Sequence, residues 1–370
     1  MKNTKIRQSN IEMLRVLAMF LIVCMHLLWH GNVLNECTYG SVNYYLFWTI
    51  RSLCYISVNA FVLISGYFMV NSKFITSKLL KIIIQTLFYS LIFFALAACI
   101  NNELITIPNV LKVFFPISSG QYWFITSYFL LCILSPILNA AIANIDKRMH
   151  RTIIISLLIV FCVMPTILFW TRSSLSMGRD LNWFVALYFI AAYIRKYGVC
   201  LEKKKLIVYF ISAIILMMLS LIIIGAVTHT IFGIEKEQDL MLCFNSVFSC
   251  AASVAAFLIF LDLRINNQKI SHIINSISGL MLGVYLFHEN PFIRSILWDF
   301  IDPTRYMNSM HGTLLTLFYM LFVCFSIMVI GCVLEKIRLF LLDLVRGNYF
   351  CDRVAEKIDK CIDRINARLE

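Results

Sequence analysis

The chain has 370 residues, of which 61% are hydrophobic and only 14% are charged, and its formal net charge is +12. One soluble core cannot hide that much apolar surface, so the composition excludes an ordinary soluble domain and favours a polytopic membrane protein. The 13 cysteines fall mostly inside apolar runs, with neither CxxC pairs nor zinc-ligand spacing to histidine, which argues against a disulfide framework and against a metal site.

Ten apolar segments are long enough to cross a bilayer, which needs about 20 residues. The basic N-terminus leads into the first segment without a small-residue cleavage site, so this segment is expected to be a retained span and not a signal peptide. In chain order the predicted spans are 11–31, 42–70, 79–100, 122–143, 152–171, 181–199, 206–227, 240–262, 278–298 and 312–334. We therefore expect an all-α membrane protein, with a second span long enough to be tilted or broken.

Lysine and arginine are distributed unevenly between the segments that join these spans. With the N-terminus in the cytoplasm, 25 of the 32 basic residues fall at cytoplasmic ends and loops. Only five fall in outer loops, namely Lys112, Arg172, Arg179, Lys236 and Arg305. Because cytoplasmic loops carry the basic excess, both termini are predicted to be cytoplasmic. The net charge then reflects topology and contact with anionic membrane lipids, and no nucleic-acid partner is expected.

The residues after the tenth span alternate between apolar and charged types at helical spacing. This pattern predicts an amphipathic helix over 335–370, cytoplasmic or at the membrane surface, with a flexible end as the alternative. No other change in composition marks a domain boundary. The chain is accordingly divided into a transmembrane domain, 1–334, and this tail.

The first span carries ionisable residues on one face. His26 follows Arg15 by eleven positions, which is about three helical turns plus 20° and about 16 Å along the axis. Glu12 and His30 extend the same stripe. Buried ionisable groups cost about 2.5–3.5 kcal/mol in a membrane and usually face a bundle interior, so the shared face favours a functional pair. The alternatives are a snorkelling anchor for Arg15, a hydrogen-bonded core histidine for His26 and a surface ion pair between Glu12 and Arg15.

Four sequence motifs occur here in the order in which one known family has them. They are "NIEMLRVLAMFLIVCMH" (10–26), "NAFVLISGYFMV" (59–70), "GQYWFITSYFLLCILSPIL" (120–138) and "GVYLFHENP" (283–291). Together they resemble the acyltransferase 3 family of integral membrane O-acyltransferases, over about residues 10 to 334. The first motif holds the family's arginine and histidine of the first span, here Arg15 and His26.

The resemblance implies a cytoplasmic acyl-CoA donor, usually acetyl-CoA, and a cell-surface or lipid-linked glycan as acceptor, in a bacterial plasma membrane. Arg15, Lys78 and Lys81 are then expected to bind the CoA phosphates. The two lysines stand where the family often has an Arg-x-x-Arg pair, and they keep the charge but lose the planar fork of arginine. The pantetheine arm is expected to run along the first span to His26, the candidate general base. Glu12, grouped with the catalytic residues, is expected to fix the rotamer of Arg15.

No metal cofactor is expected. The extracytoplasmic SGNH-type domain that some relatives of the family carry is not expected after the tenth span. Acyl transfer is therefore expected to be completed by the membrane domain or handed to a separate extracytoplasmic partner.

Three further residues are candidates for binding the acceptor. Arg51 could hold an anionic group, with snorkelling to lipid headgroups as the alternative. Trp123 could stack on a sugar ring, with an aromatic belt as the alternative. His288 could belong to the site or form a structural hydrogen bond. Ten spans with buried charges also describe a secondary transporter or a flippase of glycan substrates, and a membrane scaffold or sensor is the third alternative.

Overall fold

The computed structural model of the protein describes residues 8–168, 171, 175–233, 242–307, 309 and 311–369. Within these residues all regular elements are helices, as predicted. The α-helices are α1 (Ser9–His30), α2 (Val42–Cys54), α3 (Ile56–Met69), α4 (Thr76–Ile100), α5 (Ile107–Phe114), α6 (Trp123–Ala143), α7 (Lys147–Leu158), α8 (Met164–Ile167), α9 (Leu181–Tyr197), α10 (Lys203–Phe232), α11 (Val247–Asp262), α12 (Gln268–Ser278), α13 (Met281–His288), α14 (Arg294–Ile301), α15 (Gly312–Leu344) and α16 (Gly347–Leu369). Some residues used in the topology prediction lie outside the described ranges: Lys2, Lys5, Arg7, Arg172, Lys236 and parts of spans 152–171 and 240–262.

Eight helices or helix pairs of the described chain are long and apolar enough to cross a membrane. They correspond to eight of the ten predicted segments. The other two segments, 181–199 and 240–262, hold α9 and α11, which have 17 and 16 residues. Both are packed inside the bundle, α9 against α3, α6 and α7, and α11 against α10 and α3. The prediction of an all-helical polytopic membrane protein is confirmed.

Helix α1 lies at the centre of the bundle. It contacts α2, α3 and α11 on the one hand and α12 to α15 on the other. Its side chains Ile11, Val23, Leu27 and Leu28 are fully buried. Because α1 is surrounded by other helices, its ionisable stripe faces protein and cavities.

Prolines account for two interruptions of the helices. Pro165 has no N–H and its ring conflicts with an earlier carbonyl, and the helix widens into a π-turn at Ile159–Val163 just before it. Pro291 explains why α13 ends at His288. Helices usually end at or before the residue that precedes a proline. The chain becomes helical again at Arg294, and the intervening turn contributes to the candidate site.

The span predicted at 278–298 lies ten residues earlier in the structure, at Gln268–His288. The Asn267 side chain caps α12 by accepting hydrogen bonds from the N–H groups of Lys269 and Ile270. The first turns of α12 are polar and partly exposed, which lowers their hydropathy and delays the predicted start.

The tail helix predicted after residue 334 is present as α16. The preceding helix α15 continues to Leu344, and a left-handed residue, Arg346, separates the two. Helix α16 packs against α4, where the Thr76 hydroxyl donates a hydrogen bond to Asp359.

Candidate active site

The C-terminal end of α1 presents His26 to the interior of the bundle, where its side chain is buried. Its Nδ1 atom lies 2.9 Å from Nε2 of His288 on α13, and 3.2 Å from Oε2 of Glu289 in the turn that follows α13. Helix α13 packs directly against α1. The imidazole of His26 is therefore held along its Nδ1 edge.

Hydrogen bonding assigns the proton positions on the two rings when both are neutral. His288 Nδ1 lies 2.6 Å from the carbonyl oxygen of Val284, and because a carbonyl only accepts, this Nδ1 carries the hydrogen. The Nε2 atom of His288 is then an acceptor, so His26 donates through Nδ1. The Nε2 atom of His26 keeps its lone pair, as a general base requires.

Glu289 joins the two histidines of α1 to an arginine. Its Oε1 atom accepts a hydrogen bond from Arg294 at 2.6 Å. Its Oε2 atom lies 3.4 Å from His30 Nε2 as well as 3.2 Å from His26 Nδ1. The contacts at Oε2 are electrostatic and lack the alignment of good hydrogen bonds. The carboxylate therefore sits between the imidazoles and a compensating positive charge.

The turn that carries Glu289 is fixed by its neighbour Asn290, which is fully buried. The Asn290 amide donates to the Tyr122 hydroxyl at 2.8 Å, and its oxygen accepts from the N–H of Phe292 at 3.0 Å. With Pro291 preventing a continuous helix, these bonds set the direction in which the Glu289 side chain leaves the turn.

His26, His30 and Glu289 each offer a donor atom within 4.8 Å of the others, so the three could hold a metal ion. Two imidazoles and a carboxylate form a donor set found in zinc enzymes. The set combines two distant segments of the chain, which sequence spacing does not reveal. The other oxygen of the same carboxylate is bonded to Arg294, which already compensates the negative charge of Glu289.

His26 and His30 line a cavity of about 470 Å³, called the histidine cavity below. Its volume lies within the range of small-molecule sites, about 300–1,000 Å³. Cationic, acidic and aromatic residues share its wall, among them Trp29, Arg51, Tyr55, Trp123, Arg179, Phe244, Glu289 and Arg294.

Two of the three residues predicted to bind the acceptor face the histidine cavity. Arg51 is buried and its guanidinium lies 4.4 Å from the ring centroid of Trp29, so it is held within the protein. Trp123 lines the same cavity. His288 is fully buried and contacts His26, and it lines neither of the cavities described here.

A left-handed stretch of backbone presents Arg179 to the histidine cavity. Residues 176–178 have φ values of 50°, 54° and 77°, a conformation that costs non-glycine residues about 1–2 kcal/mol each. At Gly178 an added Cβ would lie 2.8 Å from the backbone nitrogen of Asn245. This close approach leaves no room for a side chain at position 178. The Arg179 guanidinium lies 5.9 Å from the ring centroid of Trp123.

Arg15, Lys78 and Lys81, the three residues predicted to bind CoA, line a second cavity of about 600 Å³, called the lysine cavity below. Arg15 pairs with Glu12 at 3.1 Å, and Glu12 is buried. Glu12 precedes His26 by fourteen positions, about 21 Å along the helix. It therefore contacts Arg15 and lies too far along the helix to contact His26.

Aromatic rings separate the two cavities, which have no lining residue in common. Phe124 and Tyr285 line the lysine cavity, with ring centroids 5.8 Å apart. The Tyr285 ring lies 6.4 Å from the His26 ring, and the Phe124 ring lies 6.0 Å from the Trp123 ring. Arg15 and His26 thus face two adjoining cavities along one helix, where the sequence predicts a single path.

The sequence model of the family described as "Acyltransferase domain" matches residues 8–335, which is most of the chain. The chain belongs to the acyltransferase 3 family. It is therefore a multi-pass membrane acyltransferase. Comparison of this acyltransferase with curated proteins and with solved structures gives no significant match.

Three residues of the candidate site were given no role by sequence analysis. His30 has a local signal, since it follows His26 by four positions on one helical face. Glu289 has only its place beside His288 and before Pro291. Arg179 has no local signal, because its place in the cavity depends on packing against α6 and on the left-handed loop.

Proposed function

We propose that this membrane acyltransferase moves an acetyl group from cytoplasmic acetyl-CoA to a hydroxyl of a cell-surface or lipid-linked glycan, with His26 as general base. The observation that carries the proposal is the orientation of His26, whose Nδ1 edge is occupied by His288 and Glu289. This leaves Nε2 as the basic atom of an imidazole that lines a substrate-sized cavity.

The proposed reaction joins the acceptor oxygen directly to the acetyl carbon. His26 Nε2 takes the hydroxyl proton as the oxygen attacks the thioester carbonyl. The carbon–sulfur bond then breaks, and the proton passes from His26 to the departing thiolate, which leaves as free CoA. The imidazolium formed in between is stabilised by the Glu289 carboxylate at 3.2 Å.

The lysine cavity suits the donor. CoA is polyanionic at its nucleotide end, and Arg15, Lys78 and Lys81 place three cationic groups around this cavity. We propose that the pantetheine arm enters here and that the thioester reaches His26 when the rings of Phe124 and Tyr285 move apart. The donor and the acceptor would then approach from adjoining cavities.

The acceptor glycan would occupy the histidine cavity, where Trp123 offers a stacking surface. A bacterial plasma membrane is part of the same proposal. Handing of the acyl group to a separate extracytoplasmic partner is the alternative to transfer completed by the membrane domain.

The test uses purified protein, radiolabelled acetyl-CoA and a panel of lipid-linked and soluble glycans. Wild type is expected to label an acceptor, and His26→Ala is expected to lose about 10²–10⁴-fold in rate while still binding CoA. His272→Ala is the matched control, because His272 is exposed and lines neither cavity. A wild-type protein that neither binds CoA nor labels any glycan would contradict the proposal. If labelled glycan crosses the membrane of vesicles that contain the protein when no acyl-CoA is present, a transporter would be favoured instead.

A further inference from the structure

The described lining of the histidine cavity is cationic. It contains three arginines and one carboxylate. The carboxylate, Glu289, is bonded to Arg294 at 2.6 Å, and Arg179 places a further positive charge on the wall. Positive charges on the wall of a cleft attract an anion.

Arg179 is placed to bind a ligand. The ion pairs of the described residues do not include it. The neighbouring carboxylate, Asp180, is used instead to cap α9, where it accepts from the N–H of Trp183 at 3.3 Å. The Arg179 carbonyl accepts from the Ser127 hydroxyl at 2.8 Å, so the backbone that carries the guanidinium is fixed.

Arg179 also lies beside the aromatic ring that could bind a sugar. Its guanidinium is 5.9 Å from the Trp123 centroid, and both residues line the cavity that His26 lines. A ligand the size of one sugar could therefore stack on Trp123, place an acidic group at Arg179 and direct a hydroxyl towards His26.

We infer that the acceptor carries an anionic group, phosphate, diphosphate or carboxylate, close to the hydroxyl that is acylated, and that Arg179 binds this group. That the bound anionic molecule is the acyl acceptor rests on the proposed function. The fork of the guanidinium matches two oxygens of such a group, and this match would favour acidic glycans over neutral ones.

The test measures binding apart from catalysis. The full-length protein in detergent is titrated with inorganic diphosphate, with glucuronate and with methyl glucoside, and tryptophan fluorescence is followed. Wild type is expected to bind at least one anion more tightly than methyl glucoside. Arg179→Gln is expected to lower the affinity for that anion about tenfold or more, since a hydrogen bond to a charged group contributes roughly 1.5–3 kcal/mol. Arg179→Lys, which keeps the charge, is expected to lie in between.

Two control variants separate this site from other cationic surfaces. Arg305→Gln removes an exposed arginine that lines neither cavity, and Lys78→Gln removes a charge from the lysine cavity. Both are expected to retain the binding that Arg179→Gln loses. Preference for diphosphate points to a lipid-diphosphate carrier, and preference for glucuronate points to an acidic sugar.

The inference is overturned by equal affinity for methyl glucoside and both anions, by unchanged anion binding in Arg179→Gln, or by a loss confined to Lys78→Gln. If the wild type binds an anion through Arg179 but transfers no acetyl group, the result would instead count against the proposed function.

Discussion

His26 Nδ1 lies 2.9 Å from His288 Nε2, although 262 positions separate the two residues in the sequence. Because His288 is anchored in turn to the Val284 carbonyl at 2.6 Å, the bond fixes both the ring position and the donating nitrogen of His26. The candidate base is thus oriented by a helix from the other end of the chain.

Replacing His288 should separate its positioning role from a structural one. His288→Leu removes the acceptor for His26 Nδ1–H and should lower kcat about 10-fold to 100-fold, since a lost buried hydrogen bond costs roughly 1–3 kcal/mol. The KM for acetyl-CoA should not change. His288→Gln, which keeps an acceptor oxygen near the place of Nε2, should recover part of kcat. Equal losses in both variants, together with a higher KM for acetyl-CoA, would show that His288 serves only the fold.

The lysine cavity should control the affinity for acetyl-CoA without affecting the chemical step. Lys78→Gln should raise the KM for acetyl-CoA about threefold to tenfold, the effect of losing one contact of roughly 0.5–1.5 kcal/mol. Lys112→Gln, a change of an exposed lysine outside both cavities, is the control. Initial rates at varied acetyl-CoA give the result, and an unchanged KM in Lys78→Gln would exclude the CoA phosphates from this cavity.

The tail helix should compete with the donor for Lys81. Asp352 of α16 pairs with Lys81 at 3.1 Å, and an incoming phosphate would need the same ammonium group. Asp352→Asn should therefore lower the KM for acetyl-CoA by about twofold, in keeping with the modest strength of exposed ion pairs. Glu356→Gln breaks a separate exposed pair on the same helix, that with Lys360 at 2.8 Å, and should leave KM unchanged. A higher KM in Asp352→Asn would mean that the pair helps to build the donor site.

A buried ion pair on α15 should matter for stability. Glu335 and Arg338 are both buried and make two bonds, of 2.9 and 2.6 Å. Arg338→Met alone should destabilise the protein by about 3–5 kcal/mol, because it leaves a carboxylate buried without its partner. The double variant with Glu335→Gln should recover much of the loss. Thermal unfolding in detergent measures both, and equal stability of the single and double variants would contradict this account.

Local sequence properties predicted much of the fold. Each of the ten predicted apolar segments contains helix. They could be predicted because hydropathy and helical periodicity depend on residues that are close in the chain. The start of the ninth predicted span at Gln268 was missed because the first turns of α12 are polar and resemble a loop. The Asn267 cap and packing stabilise these turns as helix. The motifs around Arg15 and His26 identified the family that the match over residues 8–335 establishes.

What sequence alone determined was therefore the helical membrane class, the family and one helical face that carries Arg15 and His26. Tertiary structure decided that these residues face two cavities divided by Phe124 and Tyr285, and that Glu289 reaches His26. The physical reason is that helical periodicity is a local property, whereas a contact between α1 and the turn after α13 depends on how the whole bundle packs.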